Sequence, residues 1–123
     1  MIKLTSSILK TVKQLILIPF LIWGLFFCGA VYADSQAEIK ITKDGFQPPI
    51  LTIDKDITVR FINQDQVDRW PASNIHPTHD VYPEFDAKKP IELGGSWAFK
   101  PKEGEWKFHD HLLPHFRGTL IVK

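Results

Sequence analysis

After residue 33, apolar side chains recur at every second position in short runs, and this alternation most restricts the possible folds. Ile39 and Ile41 alternate with polar neighbours, and Val59 and Phe61 do the same further along the chain. A period of two is typical of half-buried β-strands. Because no stretch after residue 33 has the helical period, the sequence predicts an all-β domain.

Turn signals separate these runs and divide the domain into short strands. The turns fall at residues 43–45, 63–65, 94–96 and 102–105. The section 66–90 contains four of the nine prolines and has no clear period. Short strands between turns predict a β-sandwich with Greek-key connections. A long irregular section inside a compact domain is usually functional or mobile.

The first 33 residues differ from the rest. Lys3, Lys10 and Lys13 precede an apolar run, and Val-Tyr-Ala at positions 31–33 places small or aliphatic residues where a signal peptidase cleaves. We therefore expect a signal peptide over residues 1–33, with the mature domain, residues 34–123, periplasmic or secreted. The alternative is membrane attachment through residues 15–33, which approach the length of a bilayer span, with the domain facing outside the cytoplasm.

The composition of residues 34–123 excludes some classes of function. These 90 residues carry 12 basic and 14 acidic side chains, a net charge of −2 with neutral histidines. Nucleic-acid binding selects strongly basic surfaces, so a nucleic-acid partner is not expected. The only cysteine, Cys28, lies in the leader, so the mature domain has neither a disulfide nor a thiolate ligand.

All five histidines lie in two short segments of the second half of the chain. His109, His111 and His115 fall within seven residues, and His76 and His79 belong to a His-Pro-Thr-His segment. Imidazole is the commonest protein ligand for zinc, copper and non-haem iron. This clustering predicts a metal site.

Strand geometry separates the roles of the residues in the last histidine segment. Alternate side chains of a strand face opposite ways. If Trp106 and Phe108 face the core, Asp110 faces it too, while His109 and His111 point outward together. Two histidines at positions i and i+2 on one strand face can chelate one ion.

A divalent ion is rarely held by two ligands, so the second histidine pair matters. With His76 and His79 the set reaches four nitrogens, which satisfy tetragonal copper(II) or tetrahedral zinc. The alternative is that both are ordinary loop residues stiffened by Pro77. His115 follows Pro114 in a turn and is a fifth ligand, an axial ligand or no ligand.

Asp110 has two interpretations. A buried carboxylate must be paired or hydrogen-bonded, and Asp110 would then orient a histidine ring from behind the ligands. Alternatively it is an oxygen ligand of the metal. Trp70, Trp97 and Trp106 are expected to pack in or near the core, and residues 82–86 form either a lid or an ordinary connection.

The order and spacing of several motifs resemble a cupredoxin of the plastocyanin and azurin type over nearly all of residues 34–123. The matching features are Gly45-Phe46 with Pro48, the strand 59–63 with Asp65, the turn 94–96, and residues 104–108 closing on Gly118. The resemblance implies a Greek-key β-sandwich. In blue-copper members, two histidines, a cysteine and a weak axial methionine hold the ion.

The same resemblance implies that this chain has lost the blue-copper ligands. Asp110 falls at the position of the cysteine, Leu113 at the second histidine and Phe116 at the methionine. Arg69 or Trp70 falls near the first histidine. Every blue-copper ligand is replaced in this alignment.

Residues 109–115 (HDHLLPH) and 76–79 (HPTH) also resemble the copper motifs of multicopper oxidases, with an aspartate in place of the cysteine. In those enzymes the histidines beside the cysteine serve a copper cluster between domains. An enzymatic interpretation of this single domain would therefore need a homo-oligomer that assembles such a site between subunits.

The sequence thus predicts an exported cupredoxin-like protein that binds a metal, copper(II) or else zinc, for metal handling in the cell envelope. The metal ion is its expected partner, and enzymatic activity is not expected. One alternative is electron transfer through an atypical copper site, which the missing thiolate disfavours. Another is an interaction module that uses the sandwich without a metal.

Overall fold

The computed structural model describes residues 29–30 and 33–123. Ala33–Lys123 forms one compact unit. The predicted leader lies outside the described residues, apart from positions 29, 30 and 33. Within the described part of the chain, no helix is long and apolar enough to cross a membrane.

Eight strands build the domain. They are β1 (Gln36–Thr42), β2 (Gly45–Gln47), β3 (Ile50–Ile53), β4 (Thr58–Asn63), β5 (Pro71–Ser73), β6 (Ser96–Phe99), β7 (Gly104–Asp110) and β8 (Arg117–Val122). They form two four-stranded sheets with the orders β2-β1-β4-β6 and β3-β8-β7-β5. β1 pairs with β4 and β3 with β8 in parallel, and the other pairs are antiparallel. The predicted all-β Greek-key sandwich is confirmed.

The core lies where the apolar faces of the two sheets meet. Ile39, Ile41 and Phe61 have no solvent exposure, and Phe108 of β7 is almost completely buried. The Phe61 and Phe108 rings meet edge to face, with centroids 5.4 Å apart. Gly118 of β8 allows this packing, because a Cβ there would come within 2.3 Å of the Phe108 ring. The period-two pattern therefore identified the buried face of β7.

The sequence pattern did not predict β5, which lies inside the proline-containing section 66–90. Pro71 begins this strand at the edge of its sheet, where a missing backbone N–H removes no ladder hydrogen bond. β5 pairs with β7, with Ala72 opposite His109 and Ser73 opposite Phe108. The chain that follows Ser73 therefore starts beside the histidines of β7.

Candidate metal centre

Four of the five histidines converge at one end of sheet β3-β8-β7-β5. The side chains of His76, His79, His109 and His111 each offer one ring nitrogen, and these nitrogens all lie within 4.8 Å of one another. His109 belongs to β7 and His111 follows its end, whereas the other two belong to the loop after β5. We call these four residues the histidine cluster.

β7 and the segment just past its end supply half of the cluster, and His109 lies on the strand face opposite Phe108. His109 was expected to point outward, away from the core. It does face away from Phe108, but only 2% of its surface is exposed, because the loop after β5 covers it. His111 is held just past the strand end, where its backbone N–H donates to the Trp70 carbonyl over 2.7 Å.

Ser73 and the local backbone position His79. The buried Ser73 hydroxyl lies 3.1 Å from the His79 carbonyl and 2.8 Å from the Tyr82 carbonyl, and it accepts the Tyr82 N–H. The His79 N–H donates to the Ile75 carbonyl over 2.7 Å. His79 adopts a left-handed conformation with φ of 56°, which is uncommon for a residue with a side chain. Such conformations cluster at ligand sites, where surrounding contacts maintain them.

Two pairs of ring nitrogens face each other at short range. His76 Nδ1 is 3.2 Å from His109 Nε2, and His79 Nε2 is 3.0 Å from His111 Nδ1. Neighbouring nitrogens bound to one ion at about 2.0–2.1 Å are about 2.8–3.4 Å apart, from square-planar to tetrahedral angles. Four imidazoles without oxygen ligands suit copper, zinc or nickel rather than magnesium or calcium. The residues present therefore fit a transition-metal ion.

Asp86 fixes which nitrogen of His79 faces the cluster. One oxygen of Asp86 lies 2.9 Å from His79 Nδ1, and the other accepts the Trp70 indole N–H over 2.7 Å. An ionised carboxylate only accepts hydrogen bonds, so His79 carries its proton on Nδ1. Its Nε2 is then free to bind a metal. A carboxylate behind a metal-binding histidine is a common arrangement that sets tautomer and ring orientation.

Asn74 plays the corresponding part for His109. Its Oδ1 lies 3.3 Å from His109 Nδ1, so that nitrogen donates and His109 Nε2 faces the cluster. Trp70 borders the site on the other side, with its ring centroid 4.5 Å from that of His111. Trp70 was expected to pack in or near the core, and the structure instead places it against the cluster. Trp97 and Trp106 do pack against the core.

The surroundings of His109 and His111 favour the neutral, metal-binding form of these two side chains. Burial lowers the pKa of His109 to about 4, and the positive charges that His79, His76 and His111 carry when protonated add to this effect. Burial and the same kind of repulsion lower the pKa of His111. Burial raises the pKa of Asp86, but the hydrogen bonds from Trp70 and His79 outweigh it and leave that pKa below its usual value.

Asp110 and His115 do not join the cluster. The Asp110 carboxylate is completely buried, where it accepts the Arg69 Nε–H and the backbone N–H groups of Leu112 and Leu113. Within the described part of the chain it forms no hydrogen bond with a histidine ring, so the orienting role considered for it is filled by Asp86 and Asn74. His115 is exposed and lies against the Phe116 ring, with centroids 4.1 Å apart.

Arg69 is the internal cation that pairs with Asp110. Its guanidinium also donates to the Asp65 carboxylate and to the Thr42 carbonyl, each over 2.8 Å. It lies 4.5 Å from the centroid of the Phe116 ring, and its side chain has no solvent exposure. We call Arg69, Asp65 and Asp110 the interior ion network. In the alignment that the family resemblance implies, Asp110 falls at the blue-copper cysteine and Arg69 or Trp70 falls near the first histidine, so the Arg69 guanidinium is the cation beside the cysteine position.

Sequence reasoning missed four residues that support these two groups. Asn74, Asp86 and Trp70 hold or border the cluster, and Arg69 neutralises Asp110. Arg69, Trp70 and Asn74 each form a hydrogen bond with a residue at least 16 positions away in the sequence. Asp86 also contacts His79, which lies only seven residues before it. An acidic residue that soon follows a candidate ligand was the one local signal available.

Comparisons with known proteins bear on the fold. A family model described as a cupredoxin-like domain matches residues 15–122. The sequence matches no curated protein. Among solved structures, a purple cupredoxin from Nitrosopumilus maritimus is 22% identical with a TM-score of 0.62, and the match covers 71% of this chain and 99% of that one.

A second similar structure is the Cu(I) form of a mutant amicyanin. It is 21% identical with a TM-score of 0.62, and the match covers 76% of this chain and 88% of the amicyanin chain. At these identities the likeness to solved structures shows the fold alone. The chemistry of this chain therefore has to be argued from its own residues.

Proposed function

This chain belongs to the cupredoxin-like domain family, and we propose that it binds copper(II) through His76, His79, His109 and His111. Its role would be to hold and deliver the ion in the cell envelope. The observation that carries the proposal is the convergence of four imidazole nitrogens within 4.8 Å. When bound, copper(II) would supply a Lewis-acidic centre that exchanges ligands.

Copper is proposed ahead of zinc on the chemistry of the donors. Nitrogen sites bind divalent ions with affinities that reach a maximum at copper(II) along the first transition row. One of the similar structures is the Cu(I) form of a mutant amicyanin. Without a thiolate in residues 34–123, the site would lack the intense blue colour of copper–thiolate bonds.

The unequal exposure of the ligands supports a handling role. His79 and His109 are buried, whereas His76 is exposed at the edge of the cluster. A buried pair fixed by Asp86 and Asn74 gives affinity, and an exposed ligand gives the ion a way in and out. Export to the periplasm or beyond remains part of the proposal, supported by the signal-like pattern of residues 1–33.

The test is a copper(II) titration of the purified protein, read by visible absorption and electron paramagnetic resonance. The expected result is one equivalent of pale copper with hyperfine structure from several nitrogens. The double variant His109→Ala/His111→Ala should lose this signal. His115→Ala is the matched control, because it removes a nearby imidazole outside the cluster and should bind as the native protein does.

Either of two results would contradict metal binding by the histidine cluster. One is the absence of a stoichiometric site for copper or for zinc in the native protein. The other is equal copper affinity in the double variant and in His115→Ala. Competition between the two metals would separate copper handling from zinc binding, and preferential retention of zinc would overturn the copper assignment.

A further inference from the structure

A cavity of about 260 Å³ opens beside the histidine cluster. Two cluster members line it, His76 and His109, and the remaining lining residues are Asn74, Ile75, Pro114 and Arg117. None of these six residues is acidic, and two of them bear strong hydrogen-bond donors. A small molecule in this cavity would therefore contact hydrogen-bond donors. It would also contact His76 and His109, two of the residues proposed to bind the metal.

Arg117 reaches this cavity because of its register in the sheet. It stands directly opposite His109 in the β7–β8 ladder, and residues opposite each other project from the same face with Cβ atoms about 5 Å apart. Arg117 forms no salt bridge with any residue in the described part of the chain. A guanidinium next to a bound metal cation is repelled by it, unless an anion neutralises both.

Asn74 supplies a second donor. Its Oδ1 faces His109 Nδ1 at 3.3 Å, and that nitrogen must carry a proton when His109 binds a metal through Nε2. The amide oxygen of Asn74 is thereby committed to His109. Its NH₂ group remains as a donor on a residue that lines the cavity.

We propose that this cavity binds a small carboxylate-type anion beside the metal ion. The planar guanidinium of Arg117 suits a carboxylate, to which it can donate two parallel hydrogen bonds. The inference rests on the proposed function, because the bound ion forms one wall of the site. In this proposal, copper reaches the protein as a complex with a small carboxylate.

Ligand exchange gives this subsite a role in handling copper. The carboxylate of an incoming complex binds Arg117 and Asn74 while its copper–oxygen bonds are replaced, one at a time, by bonds to neutral imidazoles. No electron is transferred, and the carboxylate leaves as the same anion that arrived. The reverse sequence releases the ion to an acceptor that carries a carboxylate.

The test uses azide as the probe anion, because its binding to copper(II) produces a charge-transfer band, and acetate as the competitor. Azide is titrated into the copper-loaded native protein and into Arg117→Gln and Arg117→Lys. Arg60→Gln is the matched control, since Arg60 belongs to β4 of the other sheet. Copper loading of every variant is measured first by paramagnetic resonance.

Azide should bind the native protein and be displaced by acetate. Arg117→Gln should weaken both anions by about tenfold, as expected for loss of a charge-assisted hydrogen bond. Arg117→Lys should restore part of the affinity, and Arg60→Gln should match the native protein. If copper loads normally but no azide band appears, or if Arg117→Gln binds azide as Arg60→Gln does, the anion site is wrong while copper binding stands. If the native protein does not load copper, both proposals fall.

Discussion

The interior ion network and the histidine cluster each contain one of two neighbouring residues of β7, Asp110 and His109, yet the two groups treat charge in opposite ways. Asp110 faces inward and is neutralised by Arg69, a cation from the same chain. His109, one position earlier, belongs to the cluster on the other face and directs its nitrogen at three other imidazoles. This chain therefore neutralises its buried carboxylate with its own arginine, whereas the outer face presents four imidazoles that could hold an external cation.

Removing Arg69 should have the largest effect on stability. Arg69→Met leaves the Asp110 carboxylate buried without its cation, and such losses cost about 3–5 kcal/mol. Chemical denaturation of the metal-free protein measures the change. Arg60→Met, which removes a partly exposed arginine from β4, is the control and should cost less than about 1 kcal/mol.

The pair can be tested further with Asp110→Asn, which keeps an acceptor for the N–H groups of Leu112 and Leu113. In the double variant Arg69→Met/Asp110→Asn, part of the lost stability should return, because position 110 no longer carries a charge and only Asp65, whose side chain is 12% exposed, loses its partner. Additive losses in the double variant would show that Arg69 and Asp110 are not coupled, which would contradict the interior neutralisation of Asp110 by Arg69.

On the outer face, protonation of His109 should make the stability of the metal-free protein depend on pH. The pKa of His109 is lowered to about 4, so between pH 6.5 and 4 the unfolded chain binds a proton that the folded protein does not. The metal-free protein should therefore lose stability as the pH falls through this window, on the order of 3 kcal/mol by pH 4. His109→Gln should flatten the dependence measured by denaturation, and equal slopes in both proteins would contradict the prediction.

Asp86→Asn should weaken copper binding while leaving the fold intact. The Trp70 indole only donates, so the oxygen of the substituted amide would turn toward it and the amide NH₂ would face His79 Nδ1. That forces the His79 proton onto Nε2, the nitrogen needed for the metal. The copper affinity should fall by about 10- to 100-fold.

Copper titration measures this effect, and Glu84→Gln is the charge-matched control from the same loop. The control should bind copper as the native protein does. Equal affinity in Asp86→Asn and Glu84→Gln would show that Asp86 does not set the tautomer of His79.

The smallest effect is expected at His115. It is exposed and lies outside the cluster, against Phe116, so His115→Ala should change the copper affinity by less than about twofold. The same change should leave the interior ion network undisturbed. A tenfold loss of copper affinity would make His115 a fifth ligand and would extend the site beyond four residues.

Much of the fold was predictable because the period-two pattern reports directly which side of a strand is buried. Ile39, Ile41, Val59 and Phe61 carried that signal, and all four lie in the core. β5 was missed because three residues are too few to show a period and one of them is Pro71. An edge strand of this kind is recognised only from its pairing with β7.

The candidate site was predictable at the level of residue type but not of arrangement. Histidine clustering selected the four members of the cluster together with His115, and the place of His115 after Pro114 in a turn left open whether it is a ligand. Asp110 was expected to be buried, as it is, but its partner Arg69 lies 41 positions away. Contacts across such separations depend on the register of β5 against β7, which the local pattern does not contain.

The most direct test is a crystal structure of the copper-loaded protein with anomalous scattering recorded at the copper edge. We expect one anomalous peak on the outer face of β7, within bonding distance of ring nitrogens from His76, His79, His109 and His111. Arg69 and Asp110 should remain paired in the interior. A peak at Asp110 or His115, or no ordered copper at the four histidines, would contradict the central claim.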